Sequence, residues 1–425
     1  MTEPAESAAA LTLDAADPLA AFRGRFRLPQ GPDGKPAIYL CGNSLGPQPL
    51  ASEARLREVL NAWATLAVRG HHDGTQPWTT YHERFAAPCA RLLGAEPAEV
   101  IVMNTLTVNL HLMLVSFYRP DKPRHRILAE RAAFPSDRYA LVSQLRYHGY
   151  TPEEALIEIG PREGEELLHE EDIVAAIEQA GSSLALVLLP GVQYLTGQVL
   201  DIAAITTAAR RVGAAVGWDL AHAVGNVPLA LHDSNADFAV WCNYKYLCGG
   251  PGVLGGAFVH ARHARNTALP RFAGWWGHDA ATRFEMGPDF AAMPGAEGWQ
   301  LSNPPVLALA PLAAALELFD AAGMPQLRAK SLALTAHTRA LLDRELAAQV
   351  SIVTPREPRA HGCQLSLRLS AGRSAGRRAF ERLLAAGVIG DWREPDVIRV
   401  APAPLYNSFA EVERFVAHLA TALAP

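Results

Sequence analysis

Short apolar runs and longer stretches of helical periodicity alternate along most of this chain. Apolar residues recur at helical spacing through 52–68 and again through 82–93, where Gly94 ends the pattern. Residues 100–103 then read as a buried strand and Leu106–Phe117 as a helix. A strand at 126–129 precedes a helix after Pro135, a strand at 155–159 precedes a helix at 172–180, and a strand at 184–189 precedes a helix at 202–212. Further strands are expected at 214–218, 238–241 and 256–260. Such alternation builds βαβ units around a mostly parallel sheet, with ligands beyond the carboxyl ends of its strands. After Asn303-Pro304-Pro305 the texture changes. Long helices at 306–321 and 326–349 lead to strands near 351–353 and 364–369, a helix at 378–386, a strand at 397–400 and a final helix at 409–423. The expected organisation is an N-terminal segment (1–50) packed beside a small C-terminal α/β domain (306–425), with a large domain at 51–305.

Composition narrows the class. Of 425 residues, 49% are hydrophobic and 19% charged, enough for a large core and too apolar for disorder. The net charge of −5 argues against a nucleic-acid-binding surface. The five cysteines, Cys41, Cys89, Cys242, Cys248 and Cys363, are scattered and form no C-x-x-C pair, which suits reduced thiols in a cytoplasm rather than disulfides or zinc. The acidic N-terminal stretch lacks the features of a signal peptide, and the apolar run at 184–189 stops at Pro190, far short of a membrane span. The expectation is a soluble protein with no membrane or nucleic-acid partner. His71-His72-Asp73 is not expected to hold a metal, because adjacent histidines on a strand point to opposite faces.

Chemistry concentrates in a few segments. Gly217-Trp218-Asp219 puts an acid at a strand end, with His222 three residues on, and Lys245 follows 26 residues after Asp219 in Asn243-Tyr244-Lys245-Tyr246. That layout belongs to pyridoxal-phosphate sites of aminotransferase-like folds. The lysine bonds the cofactor aldehyde, while the carboxylate faces the ring nitrogen and keeps the ring an electron sink. By itself the pair is equally compatible with a surface lysine and a helix-capping aspartate. Around Leu106 and Thr107 a strand turns into a helix, whose exposed N–H groups suit a phosphate. Phe134-Pro135-Ser136-Asp137 places an aromatic ring before a helix, where it could stack on a pyridine. Cys242 and Cys248 flank Lys245 and are expected to pack in the core.

Together these segments resemble the kynureninase family. The matching stretches are YLCGNSLGPQP (39–49), NTLTVNLHLML (104–114), FPSD (134–137), YLTGQVLDI (194–202), GWDLAHAVGNVPLALHD (217–233), NYKYLCGGPG (243–252), GWWGH (274–278), SNPP (302–305) and IRVAPAPLYNSF (398–409). The resemblance implies an aminotransferase-like fold of type I and a homodimer with shared sites. It also implies hydrolytic cleavage of kynurenine or 3-hydroxykynurenine to anthranilate or its 3-hydroxy form plus alanine, in tryptophan degradation or NAD biosynthesis. By position, Leu106 and Thr107 would hold the phosphate, Phe134 would stack, and Pro135, Ser136 and Asp137 would line the ring. Asp219 would face the ring nitrogen beside His222, Lys245 would carry the Schiff base, and Tyr244 would contact the phosphate and donate a proton. Trp275 and Asn303 would reach the cofactor from the partner subunit. Arg399 would grip the substrate α-carboxylate, with Ser44, His71 and Trp276 on the substrate side. His71 and Asn303 match the branch that prefers the hydroxylated substrate. One departure is Pro190, where many relatives carry a hydroxyl residue.

The rivals are a cysteine desulfurase or aminotransferase of the same fold, or an inactive cofactor-binding regulator. A desulfurase needs a nucleophilic cysteine on a mobile loop, for which Cys363 is the remaining candidate.

Overall fold

The computed structural model describes residues 7–266 and 268–424; the first six residues of the expected N-terminal segment and Pro425 at the end of the second unit lie outside the described residues. Its centre is a seven-stranded sheet. In chain order the strands are β1 (Val100–Val102), β2 (Arg126–Glu130), β3 (Leu156–Ile159), β4 (Leu184–Pro190), β5 (Ala215–Asp219), β6 (Phe238–Trp241) and β7 (Gly256–Val259). They lie in the order β1-β7-β6-β5-β4-β2-β3, and β7 alone runs antiparallel to its neighbours. The mostly parallel sheet expected from the alternation is present.

The continuous apolar character of these strands has a simple cause. Successive side chains point to opposite faces, and both faces are covered. Val100, Val102, Leu128, Val216 and Trp218 enter one core, while Ile101, Met103, Ile127, Ala129, Phe238 and Val240 enter the core on the other side. A polar residue at any of these positions would face protein rather than water.

A four-stranded antiparallel sheet forms the second unit, from β8 (Val350–Ile352), β9 (Leu365–Leu369), β10 (Asp391–Arg393) and β11 (Val397–Val400), in the order β8-β9-β11-β10. Helices Met324–Glu345, Gly372–Ala385 and Phe409–Leu423 pack on it. Ala10, Ile38 and Leu40 share its core. The N-terminal helix Ala8–Ala15 is tied to the C-terminal helix where Asp14 accepts from the Phe409 and Ala410 amides at 2.7 and 3.0 Å. Helix Val306–Ala322 instead buries Leu309, Leu312, Leu316 and Phe319 in the core of the large sheet, against Ser52–Leu66.

Several local expectations change. The helix expected at 82–93 is a 3-10 turn, Glu83–Phe85, followed by Ala86–Leu93. Pro88 has no amide to donate, so the regular helix can begin only just before it. Gly94, at φ 59°, closes that helix in the left-handed region. The helix from Ser52 stops at Leu66, where Ala67 turns to φ 48°. His71 then ends a 3-10 turn, Ala67–His71, so the strand premise for His71-His72 does not hold. The strand pairs 26–27 with 48–49 and 38–39 with 388–389, and the strand Asp391–Arg393, are unexpected additions. Among the described residues no single helix is long and apolar enough to cross a membrane.

Candidate active site

Five strands deliver their carboxyl ends, or the loops after them, to one cavity of about 320 Å³. Leu106 and Thr107 follow β1, Glu130 ends β2 with Phe134, Ser136 and Asp137 in the loop and helix start after it, Pro190 ends β4, Asp219 ends β5, and Tyr244 and Lys245 follow β6. Arg399 enters from β11 of the second unit, and Ser44 from the N-terminal segment. Eleven candidates from the sequence thus meet in one place: Ser44, Leu106, Thr107, Phe134, Ser136, Asp137, Asp219, His222, Tyr244, Lys245 and Arg399. Pro135 opens the helix Pro135–Tyr147 but does not line the cavity.

At one end, the helix Leu106–Phe117 points its N-terminus inward. Its N-cap residue, Thr105, makes no side-chain capping bond, so the first-turn amides remain available to an anion. The Thr107 and Ser136 hydroxyls lie 2.7 Å apart beside them. Gly255 makes this end possible. Its amide donates to the Asn104 carbonyl at 2.7 Å, and a Cβ there would stand 3.1 Å from the Leu106 nitrogen and 2.7 Å from the Trp241 carbonyl oxygen.

The centre holds Lys245, whose Nζ lies 5.9 Å from the Phe134 ring centroid. Phe134 meets Tyr194 edge to face at 5.4 Å. Asp219 Oδ1 accepts from the Ala221 amide at 2.7 Å. Asp137 is buried, its Oδ1 finds no hydrogen-bond partner among the described residues, and burial followed by the neighbouring Asp219 pushes its carboxyl well above the usual carboxylate range. His222 Nδ1 is likewise buried without a partner. Burial, then Lys245, Arg399 and Arg393, hold the ring well below the usual histidine range and therefore neutral. Burial also raises the Tyr244 hydroxyl.

The sequence reading missed Asn43, Glu130, Tyr194 and Arg393; Cys242 is buried as expected and also lines the cavity. Glu130 ends an apolar strand, so its charge reads there as a simple stop. Burial, opposed by a 2.9 Å hydrogen bond from Gln193, pushes its carboxyl up to about 7, and its Oε2 has no partner among the described residues. Gln193 in turn accepts from the Leu195 and Thr196 amides and fixes the turn whose Tyr194 carbonyl accepts from Arg399. Pro190 lies in the wall and offers no hydroxyl.

The other candidates lie elsewhere in the chain. His71, Trp276 and Asn303 line a separate, apolar groove of about 410 Å³ together with Val59, Trp63 and Trp78. His71 packs edge to face on Trp78 at 5.3 Å, and Arg283 lies 4.5 Å over the Trp276 ring. Trp275 is exposed, its indole N–H donating to the Arg283 carbonyl at 3.1 Å. Cys363, the residue left open for a desulfurase, is buried and its thiol is pushed up to about 12 by that burial, unlike a nucleophile on a mobile loop.

Residues 327–419 match the family model described as the kynureninase C-terminal domain. The chain is 59% identical over 404 residues to a kynureninase of Myxococcus xanthus (strain DK1622), covering 95% of this chain and 94% of that one. It is 57% identical over 421 residues to a kynureninase of Xanthomonas campestris pv. campestris (strain B100), covering 99% of each. Among solved structures, the cysteine desulfurase CsdA of Escherichia coli superposes with a TM-score of 0.76 at 17% identity, covering 95% of this chain and 98% of that chain. A cystine C–S lyase, C-DES, in complex with cysteine persulfide superposes with a TM-score of 0.75 at 18% identity, covering 92% and 99%. At such identities the structural likeness speaks for the fold alone.

Proposed function

The chain belongs to the kynureninase family, and from that premise we propose that the cavity binds pyridoxal phosphate and hydrolyses the bond between the β and γ carbons of L-kynurenine or 3-hydroxy-L-kynurenine. The products are anthranilate or 3-hydroxyanthranilate and L-alanine, and the reaction serves tryptophan degradation or NAD supply. The observation that carries this reading is the meeting of Lys245, Asp219 and Arg399, from two neighbouring strands and the second unit, in one cavity.

The residues present fit the cofactor. The uncapped helix end with Thr107 and Ser136 suits its phosphate, the Phe134 ring beside Lys245 suits its ring, and the buried Asp137 Oδ1 and His222 Nδ1 need polar partners. When bound, the ring supplies an electron sink for the reacting carbons. Lys245 Nζ would hold the cofactor until the substrate amine displaces it, and the freed amine would take the proton from the substrate α-carbon. Asp219 would keep a proton on the ring nitrogen. Water would add its oxygen to the γ-carbon, which leaves as the carboxyl of the aromatic acid, while the Tyr244 hydroxyl, kept protonated by burial, would give the β-carbon its proton as the β–γ bond breaks. Arg399 holds the α-carboxylate and thereby aims the scissile bond, while Ser44 lies on the substrate side.

We read the active form as a homodimer in the cytoplasm, with Trp275 and Asn303 reaching the partner's cofactor and His71 and Trp276 its substrate. The support is the apolar groove lined by His71, Trp276 and Asn303, with exposed Trp63 and Leu307. The domain division is read as 1–50, 51–305 and 306–425, although the helix Val306–Ala322 packs in the core of the large sheet. A turnover assay decides the function. Purified holoprotein given either kynurenine should release the aromatic amine and alanine in equal amounts, whereas sulfide release from cysteine with neither kynurenine cleaved would overturn the reading.

A further inference from the structure

The strand pair β10–β11 carries a charge arrangement that the reaction outlined above leaves unused. Asp391 and Arg399 are direct cross-strand partners in its antiparallel register. Arg393 lies two residues from Asp391 and therefore projects from the same face. Asp391 Oδ2 accepts from Arg399 Nη2 and, at 3.0 Å, from Arg393 Nη2, so one carboxylate oxygen serves two guanidiniums. Both arginines line the cavity with Lys245.

The donors are not used up by this sharing. The Arg399 side chain is 1% exposed, gives Nη1 to the Tyr194 carbonyl, and has a buried Nε with no partner among the described residues. Arg393 Nε is also buried without a partner. A buried charged donor without an acceptor is costly. Two of them in one wall, with a single carboxylate between two cations, make that wall an anion-binding surface. The other carboxyls of the cavity, Glu130, Asp137 and Asp219, come from the large-sheet side, and Glu130 and Asp137 are held toward the neutral form by burial.

We propose that Arg393 is a second anchor for the substrate α-carboxylate, set in position by Asp391, so that the carboxylate lies between two guanidiniums rather than on Arg399 alone. This rests on the reading of Arg399 as the carboxylate grip. Planar guanidinium forks suit the task because they offer parallel N–H donors at fixed spacing. Asp391 is a positioning residue: it fixes both forks without itself contacting substrate.

The test uses holoenzyme and two small ligands, L-alanine, which carries the carboxylate, and ethylamine, which lacks it, titrated by calorimetry. Arg393→Gln should weaken L-alanine about tenfold or more, as expected for loss of a charge-assisted hydrogen bond. Ethylamine should stay within about twofold, and KM for kynurenine should rise more than kcat falls. Equal weakening of both ligands, or of neither, overturns the proposal. Arg393→Lys keeps the charge without the fork and should fall between wild type and Gln. If the Gln variant fails to fold, unchanged L-alanine affinity in the Lys variant overturns it instead. Arg399→Leu is titrated in parallel. If it leaves L-alanine binding untouched, the carboxylate reading itself falls; if it weakens L-alanine while Arg393→Gln does not, only the role of Arg393 falls.

Discussion

Asp137 stands beside Asp219 in the cavity, and this proximity, added to burial, drives the Asp137 carboxyl toward its protonated form. In the proposed site, two acids so close would divide the work, one holding a proton and the other facing the ring nitrogen. Asn resembles a neutral Asp in shape, so Asp137→Asn should keep kcat within about tenfold of wild type. Asp219→Ala should keep its fold by circular dichroism and lose turnover by orders of magnitude, because the electron sink goes with the charge-assisted hydrogen bond. Equal losses in the two variants would contradict this division.

Glu130 gives the fold a pH dependence of known sign. Its folded pKa, about 7, lies above the ordinary carboxylate value, so its contribution to stability is present at low pH and is lost as pH rises through about 7. Glu130→Gln removes that loss. At about 1.36 kcal/mol per pKa unit, the cofactor-free variant should gain up to about 3 kcal/mol over wild type at pH 8 and almost nothing near pH 4. Chemical denaturation at both pH values checks it, and a gain of the same size at each would be the wrong outcome.

Lys245 should carry the cofactor. Borohydride treatment of the yellow holoprotein should fix the adduct on the peptide containing Lys245, as read by mass spectrometry. An adduct on another lysine, or none, would remove the central assignment.

Trp63 lies exposed in the apolar groove with His71, Trp276 and Asn303. If a second copy covers this groove, Trp63→Asp should shift sedimentation toward monomer and weaken cofactor retention together, although Trp63 is outside the cavity. A variant that stays dimeric with full cofactor occupancy would show that the groove serves another purpose.

Substrate choice is expected to favour 3-hydroxykynurenine, since in the proposed dimer the His71 imidazole and Asn303 amide would be available to hydrogen-bond the extra hydroxyl. The ratio of kcat/KM for the two substrates measures it, and His71→Trp with Asn303→Thr should move that ratio toward kynurenine. A higher kcat/KM for kynurenine in the wild type would reject the expectation.

Much of this architecture is legible in the chain because local and global preferences agree. Ile127, Leu128 and Ala129 read as a buried strand because the sheet is covered on both faces, and Leu106–Phe117 reads as a helix at its observed limits. The cavity residues on strand ends are legible for the same reason, since topology fixes where ligands bind. Asp391-Trp392-Arg393 is not legible: three residues with two charges, followed by Glu394-Pro395, give no apolar alternation, and only pairing with Val397–Val400 makes them a strand. Arg393 was missed with it. For His71, Trp276 and Asn303, a one-dimensional pattern names the residues but carries no account of which cavity each one faces.

Gly255 has a consequence for how this chain tolerates change. It does not line the cavity, yet one added methyl group there would crowd both the Leu106 amide and the Trp241 carbonyl. In a mutational scan scored by function, Gly255→Ala should behave like the loss of a ligand-binding side chain, while conservative changes at Thr107 leave partial activity. The position is set by an empty volume, so a survey that ranks residues by what they touch would overlook it.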